Sequence, residues 1–249
     1  MVGVRRGLVT SVVGLLVMLA VLTGVTGTGP VAWTTGLICA AVLAVATERR
    51  AFVDGVDAFG PADLVTLTRA TLACGVAALV AGSWRTDVAD PLVPLCVVAL
   101  VLDFVDGRVA RRTSTASAFG ARLDGEADAF LILVLSVYVA RSAGAWVLAM
   151  GLVRYAYAVA TWVLPWMRRE LPPRYWRKVV AAFTGIALLV AASGHLPAAV
   201  TYAGLVVALL LLAESFGWDV VWLWRRRADR VNRTGRGAVL PDNTLEQNR

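Results

Sequence analysis

Histidine and cysteine are scarce in this sequence, and their scarcity excludes several kinds of site. The only histidine, His195, lies at an expected helix end, so a histidine-based catalytic triad is excluded. The three cysteines, Cys39, Cys74 and Cys96, lie in apolar runs at unrelated spacings. Such spacing fits neither a disulfide framework nor a zinc site and indicates small packing residues.

Charged residues are also few. They make up 16% of the 249 residues, whereas soluble domains average roughly 25%. Hydrophobic residues make up 59%, and the mean hydropathy is +0.72. The apolar residues fall in runs of about 17–22, the length of a helix that crosses a bilayer. The ~10-residue alternating segments of a membrane β-barrel are absent. The sequence therefore predicts an all-α integral membrane protein.

Eight hydrophobic segments are separated by clusters of Gly, Pro and charged residues. They cover Leu8–Thr26, Val31–Thr47, Leu64–Gly82, Pro91–Arg111, Gly120–Ala140, Ala145–Trp166, Val179–Ser193 and Pro197–Phe216. Lysine and arginine are concentrated at alternate ends of these segments, and the positive-inside rule makes the basic ends cytoplasmic. We therefore expect about eight transmembrane helices in the plasma membrane, with both termini in the cytoplasm.

The net positive charge of the chain is explained by the lysines and arginines at those cytoplasmic ends. The net charge is +7, but no aromatic–basic interleaving or zinc-knuckle spacing accompanies it, so no nucleic-acid partner is expected. The first segment is long for a signal peptide and lacks a clear A-x-A-like cleavage site, which favours a retained span. Residues 225–249 are polar without helical periodicity and predict a disordered basic cytoplasmic tail.

An acidic motif joins the fourth and fifth segments. The stretch "LDFVDGRVARRTSTASAFGARLDGEADAF" at 102–130 holds five carboxylates and four arginines. Asp103 and Asp106 are three positions apart and share one helix face, and Asp124 and Asp128, four apart, share another. The short connection makes the two helices antiparallel neighbours. We therefore expect the four carboxylates to converge at the cytoplasmic margin of the membrane. The fifth, Glu126, should point away from them.

Converging carboxylates repel one another unless a cation lies between them. All-oxygen ligand sets suit Mg²⁺, Mn²⁺ or Ca²⁺, and two ions bridged by shared carboxylates are a natural occupant. Mg²⁺ is usually bound together with substrate phosphates, so the motif predicts a phosphate-bearing ligand. Gly107 allows close approach to the backbone, and Arg111 can bind a phosphate bidentately. The alternatives are a solvated loop that marks the membrane boundary and the ion site of a divalent-cation transporter or channel, which would gain nothing from Arg111.

The motif D-x2-D-G-x2-A-R-x8-G-x3-D-x3-D, from Asp103 to Asp128, resembles the signature of the CDP-alcohol phosphotransferase family, with every defining position filled. The resemblance extends over about residues 60–217 and implies a core of six helices. The expected organisation is two additional helices in 1–58, the core in 59–224 and the tail in 225–249. It also implies a membrane transferase that moves a phospho-alcohol group from a CDP-linked alcohol to a second hydroxyl and releases CMP. A homodimer is a further implication of the family.

The resemblance assigns roles to the motif residues. Two divalent ions, Mg²⁺ or Mn²⁺, would be held by Asp103, Asp106 and Asp124, with Asp128 contributing to one of them. Asp128 would also be the general base that takes the proton of the acceptor. The CDP end would be lined by Gly107, Arg111 and Ser117. The expected donor is CDP-diacylglycerol, since lipid can reach the motif laterally. The acceptor would be an alcohol or a polyol phosphate. A catalytically silent scaffold remains a third hypothesis.

A second match lies upstream in "PADLVTLTRA" at 61–70, which resembles the family's entry to the first core helix, with Asp63 in place of the usual Asn. We expect Pro61 just before this helix and Asp63 at its N-cap or in its first turn. Asp63 and Thr66 would lie beside the nucleotide, although helix capping alone also explains them. Arg69, one turn further on, is expected to pair with a carboxylate of the motif or with nucleotide phosphates.

Three basic residues outside the motif are candidates for binding an anionic acceptor. Arg154 lies near the middle of an apolar segment, where an arginine costs at least ~2.5 kcal/mol on insertion scales. It is predicted to open a polar pocket beside the acidic motif, to form an ion pair with a neighbouring helix, or to extend its charged end to the membrane surface. Arg177 and Lys178 begin the next segment and either bind the acceptor phosphate or mark the cytoplasmic boundary.

Overall fold

The computed structural model describes residues 2–84, 88–113, 117–168, 171–172 and 174–237. Within these ranges the side chains at 2, 104, 106–113, 118 and 227–237 lie outside the description. Eight α-helices, and no strand, are found in the described residues. They are α1 (Val2–Thr26), α2 (Pro30–Val53), α3 (Pro61–Gly82), α4 (Ala89–Thr113), α5 (Ala118–Ala143), α6 (Leu148–Val163), α7 (Tyr175–Ser193) and α8 (Ala198–Gly237). Two short 3₁₀ turns, Ala145–Val147 and Pro165–Arg168, flank α6.

The predicted all-α membrane architecture is confirmed. In the described part of the chain, six helices are long and apolar enough to cross a bilayer: α1, α2, α3, α7, α8, and α6 together with the 3₁₀ turn before it. The remaining two, α4 and α5, carry the acidic motif, and its charges set them apart from the six. Each predicted segment coincides with one helix, whereas the count of eight spans stays a prediction.

Contacts at both ends of the bundle show that successive helices alternate in direction. At one end, Arg5 of α1 pairs with Glu48 of α2 at 3.2 Å, and Phe59, just before α3, stacks on Phe119 of α5. At the other end, the guanidinium of Arg141, late in α5, donates to the carbonyl of Ser83 after α3 at 3.2 Å. The helix ends that carry the acidic motif and the basic residues of α1 and α2 are therefore gathered on one side.

Helix α3 is the centre of the bundle, because its small side chains let its neighbours approach closely. Val76 and Ala78 are completely buried. A Cβ added at Gly82 would lie 2.8 Å from a methyl carbon of Thr28 in the loop before α2, so the side chain of Thr28 rests against the backbone of α3 there. The N-terminal hairpin of α1 and α2 packs on α3 through an apolar cluster that includes Leu15 and Leu19. This packing fixes the position of α3 relative to α1 and α2, and with it the position of the polar residues at the start of α3.

Two expected boundaries differ from the structure. Pro61 is the first residue of α3 rather than the residue before its cap, a position that suits proline because the first N–H of a helix has no partner. Helix α8 continues through Gly237 and passes residue 225, where the disordered tail was expected to begin. Six of the thirteen residues at 225–237 are arginine, a good helix former, which favours the extension. Residues 238–249 lie outside the described residues.

Candidate active site

Arg69 of α3 joins the acidic residues of two other helices. Its Nη1 pairs with Asp103 of α4, and its Nη2 pairs with Asp124 of α5 and lies 3.1 Å from Oδ1 of Asp128. The same nitrogen donates to the main-chain carbonyl of Asp124 at 3.1 Å. Of the two partners that the sequence allowed for Arg69, the structure shows the carboxylates of the motif.

The three carboxylates form a compact set of oxygen ligands. One oxygen each from Asp103, Asp124 and Asp128 lies within 4.8 Å of the others. Hard divalent cations prefer such carboxylate oxygens, so the donor set fits the expected Mg²⁺ or Mn²⁺. The predicted convergence of α4 and α5 is observed for these three residues. The fourth predicted ligand, Asp106, lies in α4 with its side chain outside the described residues.

Burial divides the site into a closed and an open side. The side chain of Arg69 is 2% exposed, whereas those of Asp103, Asp124 and Asp128 are 37%, 26% and 33% exposed. A buried guanidinium is costly unless it is paired, and the three carboxylates provide that pairing. The carboxylates consequently present partly open oxygens on the side away from α3, where a metal and a substrate phosphate have access.

A second group of polar residues links the starts of α3 and α5. The carboxylate of Asp63, at the third position of α3, accepts the main-chain N–H of Gly60 at 2.9 Å and the hydroxyl of Ser117 at 3.3 Å. Ser117 is the N-cap of α5 and accepts the N–H of Gly120 at 2.8 Å. A Cβ at Gly120 would overlap Oδ1 of Asp63, so only glycine allows this contact. The expected first-turn position of Asp63 is confirmed.

The other residues predicted at the CDP end are not part of the hydrogen-bonded group formed by Asp63 and Ser117. Thr66 is buried and donates its hydroxyl to the carbonyl of Ala62 one turn back at 3.1 Å. Gly107 and Arg111 lie within α4, with their side-chain positions outside the described residues. The structure thus brings Asp63 and Ser117 together, and the roles of these residues toward a nucleotide stay predictions.

Arg154 takes the ion-pair arrangement that the sequence offered as an alternative. Its Nη2 lies 2.6 Å from Oε1 of Glu126 in α5, and the side chain is 43% exposed. Its Nε is buried and has no hydrogen-bond partner. Glu126 is 62% exposed, as expected for a carboxylate that points away from the metal-binding face. Arg154 and Arg69 therefore contact opposite faces of α5, Arg154 through Glu126 and Arg69 through Asp124 and Asp128.

Sequence reasoning missed the partner of Arg177. Nη2 of Arg177, at the start of α7, lies 2.8 Å from Oδ1 of Asp219 in α8, whose side chain is only 5% exposed. The signal was present in "GWDVVW", where a carboxylate interrupts an apolar run. Lys178, the next residue after Arg177, is exposed. The two predicted acceptor-binding residues of α7 therefore differ, one being paired to a buried acid and the other facing outward.

These features define a multi-pass membrane protein in which two helices, α4 and α5, present a carboxylate cluster able to bind a divalent metal, with Arg69 of α3 behind it. The family model of CDP-alcohol phosphatidyltransferases matches residues 59–213, and the chain belongs to this family. A transferase that uses a CDP-alcohol donor and an alcohol acceptor is what this membership implies. No curated protein and no solved structure was found to match the chain. The matched range begins in the loop before α3, so α1 and α2 lie outside it.

Proposed function

We propose that the protein transfers a phosphatidyl group from CDP-diacylglycerol to the hydroxyl of an alcohol or polyol phosphate, with release of CMP, in phospholipid synthesis. The single observation that carries this proposal is the cluster of Asp103, Asp124 and Asp128 around Arg69, found in a member of the CDP-alcohol phosphatidyltransferase family. A membrane-embedded bundle suits a donor with two acyl chains, because the lipid can enter from the bilayer.

Two divalent ions, Mg²⁺ or Mn²⁺, would be held by the described carboxylates together with Asp106. Such ions, when bound, neutralise charge on the diphosphate and on the departing CMP. Arg69 fixes the ligands from the buried side and leaves their outer oxygens accessible. The fit rests on the donor set itself, since α4 and α5 place three carboxylate oxygens within 4.8 Å of one another.

Asp128 is the proposed general base. Its carboxylate is 33% exposed and lies 3.1 Å from Nη2 of Arg69, which restricts its rotation. The acceptor hydroxyl gives its proton to Asp128, its oxygen forms a bond to the phosphorus of the phosphatidyl group, and the bond from that phosphorus to the CMP oxygen breaks. The electron pair of the broken bond leaves with CMP. Arg69 orients Asp128 and keeps its carboxylate beside the cluster.

The CDP end of the site is assigned to the start of α3 and the turn into α5. Asp63 and Ser117 are hydrogen-bonded to each other and offer polar atoms at the starts of α3 and α5, and Arg111 would meet a phosphate. The remaining proposed CDP-binding residues are Pro61, Thr66 and Gly107. A polyol-phosphate acceptor would be bound by Arg154, Arg177 and Lys178. The active site and both termini are assigned to the cytoplasmic side of the plasma membrane, and a homodimer is compatible with the family.

The direct test is CMP release by purified protein. CDP-diacylglycerol and Mg²⁺ are supplied with a panel of alcohols and polyol phosphates, and CMP is quantified for each acceptor. We expect release with one acceptor class and none without acceptor. Absence of release with every acceptor, in Mg²⁺ and in Mn²⁺, contradicts the proposal.

A divalent-cation transporter or channel is disfavoured by the position of Arg69. The buried guanidinium of Arg69 closes the inner side of the carboxylates, so a cation can bind their outer oxygens but cannot pass between them. Flux of Mg²⁺ or Mn²⁺ in proteoliposomes separates the two functions. We expect no flux above that of liposomes without protein.

A further inference from the structure

The N-terminal hairpin of α1 and α2 contacts the turn that begins α5. Phe59, in the loop between α2 and α3, stacks on Phe119 with ring centroids 5.8 Å apart and planes inclined by 17°. Phe119 is 3% exposed and lies in an apolar cluster with Val4 and Leu8 of α1. Residues of the hairpin thus share an apolar cluster with Phe119, which sits between Ser117 and Gly120.

Close packing of α1 fixes the ring of Phe59. A Cβ added at Gly7 would lie 2.7 Å from Cδ2 and 3.0 Å from Cε2 of Phe59, so the ring rests against the backbone of α1. Such contact is available only at a glycine. A polar contact nearby ties the same loop to α5, because Arg122 lies 3.5 Å from the carboxylate of Asp54.

Phe119 is directly connected to the proposed CDP end. The residues two before and one after it, Ser117 and Gly120, are hydrogen-bonded to each other, and both touch Asp63 at the start of α3. A shift of the Phe119 ring therefore moves the α5 N-cap relative to Asp63. A chain of contacts thus leads from Gly7 to the ring of Phe59, from there to the ring of Phe119, and on to the hydrogen-bonded residues Ser117 and Asp63.

We infer that the N-terminal hairpin positions the nucleotide end of the active site, and that Gly7, Phe59 and Phe119 are positioning residues for it. None of them is placed in contact with the substrate. The inference rests on the proposed function, and it assigns a role to α1 and α2, which lie outside the range that the family shares. The hairpin acts by fixing where the turn at Ser117 lies relative to α3.

The test substitutes a residue of α1 and measures the KM for CDP-diacylglycerol and the affinity for CMP. Gly7→Ala is compared with Gly14→Ala, since an added Cβ at Gly14 in the same helix meets nothing within 4 Å. We expect Gly7→Ala to raise the KM for CDP-diacylglycerol about tenfold and to weaken CMP binding by calorimetry in Mg²⁺ to a similar extent. Gly14→Ala should leave both unchanged, and the KM for the acceptor should change little in either variant.

Two further variants separate positioning from general loss of stability. Leu19→Ala removes a side chain that is 2% exposed in the same hairpin, in an apolar cluster separate from that of Phe119, and should lower the melting temperature without changing the KM for CDP-diacylglycerol. In a Phe59→Ala background, Gly7→Ala should have no further effect on KM, because the overlapping ring is gone and the next neighbour of the added Cβ, Cδ2 of Leu64, lies at an ordinary contact distance of 3.5 Å.

Three outcomes overturn the inference while leaving the proposed function intact. They are an unchanged KM in Gly7→Ala, an equal rise in Leu19→Ala, and additive effects of Gly7→Ala and Phe59→Ala. If the unchanged protein neither binds CMP nor releases it from CDP-diacylglycerol, the proposed function itself fails and the inference fails with it.

Discussion

Arg69 and Asp124 are held together by a main-chain and a side-chain contact at once. Nη2 of Arg69 donates to the carbonyl of Asp124 at 3.1 Å and also pairs with its carboxylate. Nη1 of the same guanidinium pairs with Asp103 of α4, so the arginine fork joins two helices at once, which the single nitrogen of a lysine cannot do in this geometry. The start of α5 is therefore fixed to α3 by its backbone as well as by charge, and this fixes the direction in which Asp124 and Asp128 face.

Loss of Arg69 should make the protein depend on metal for its stability. Arg69→Gln leaves three partly exposed carboxylates without their cation, and we expect a cost of about 1–3 kcal/mol in metal-free protein. Because a divalent ion can replace the lost charge, Mg²⁺ should raise the melting temperature of Arg69→Gln more than that of the unchanged protein. The measurement is thermal unfolding in detergent with EDTA and with Mg²⁺. An equal Mg²⁺ effect in both proteins contradicts the role of Arg69 as counter-ion.

Asp128→Asn should abolish turnover without unfolding the protein. The amide keeps the size of the side chain but cannot accept the proton of the acceptor hydroxyl, and general-base catalysis typically contributes about 10²–10⁴-fold. CMP release and the melting temperature are measured together. Asp90→Asn is the matched control, because Asp90 is exposed at the opposite end of α4. Normal CMP release by Asp128→Asn would refute the assignment of the base.

The sequence predicts helices and faces better than it predicts contacts between distant helices. Hydrophobic length identified each helix, and the spacing of Asp103, Asp124 and Asp128 correctly predicted their convergence. Residue spacing within one sequence does not show which face of α6 packs against α5, or which face of α7 packs against α8. The pair of Arg177 with Asp219, 42 positions apart, therefore became visible only in the structure. The partner of Arg69 was likewise undecided, since a carboxylate and a phosphate satisfy a guanidinium equally well.

Ser117 should contribute to both stability and nucleotide binding. Ser117→Ala removes the side-chain cap of α5, a loss of about 1 kcal/mol, and takes a hydrogen bond from Asp63. We expect a lower melting temperature and a higher KM for CDP-diacylglycerol. Ser117→Asn restores a capping side chain and is the matched control. If it restores stability and KM alike, Ser117 acts on the nucleotide only by capping α5. If the raised KM persists, the hydroxyl itself is required at the CDP end.

Arg177 and Lys178 are adjacent but should behave differently. Arg177→Met leaves Asp219, with its side chain 5% exposed, without its cation, and we expect a loss of about 1–3 kcal/mol. Lys178→Met changes an exposed residue and should alter stability by no more than about 0.5 kcal/mol. Thermal unfolding of the two variants in the same detergent measures the difference. Equal melting temperatures would show that the pair of Arg177 with Asp219 does not stabilise the bundle.

The double variant Arg177→Met/Asp219→Leu separates a structural role of Arg177 from acceptor binding. Replacing both partners of a buried pair by apolar residues is often nearly neutral, so the melting temperature should return toward its original value. If Arg177 also binds the phosphate of a polyol-phosphate acceptor, the KM for that acceptor stays high in the restored fold, while the KM for CDP-diacylglycerol is normal. Recovery of both KM values along with stability would instead show that Arg177 only joins α7 to α8, and acceptor binding would then be left to Arg154 and Lys178.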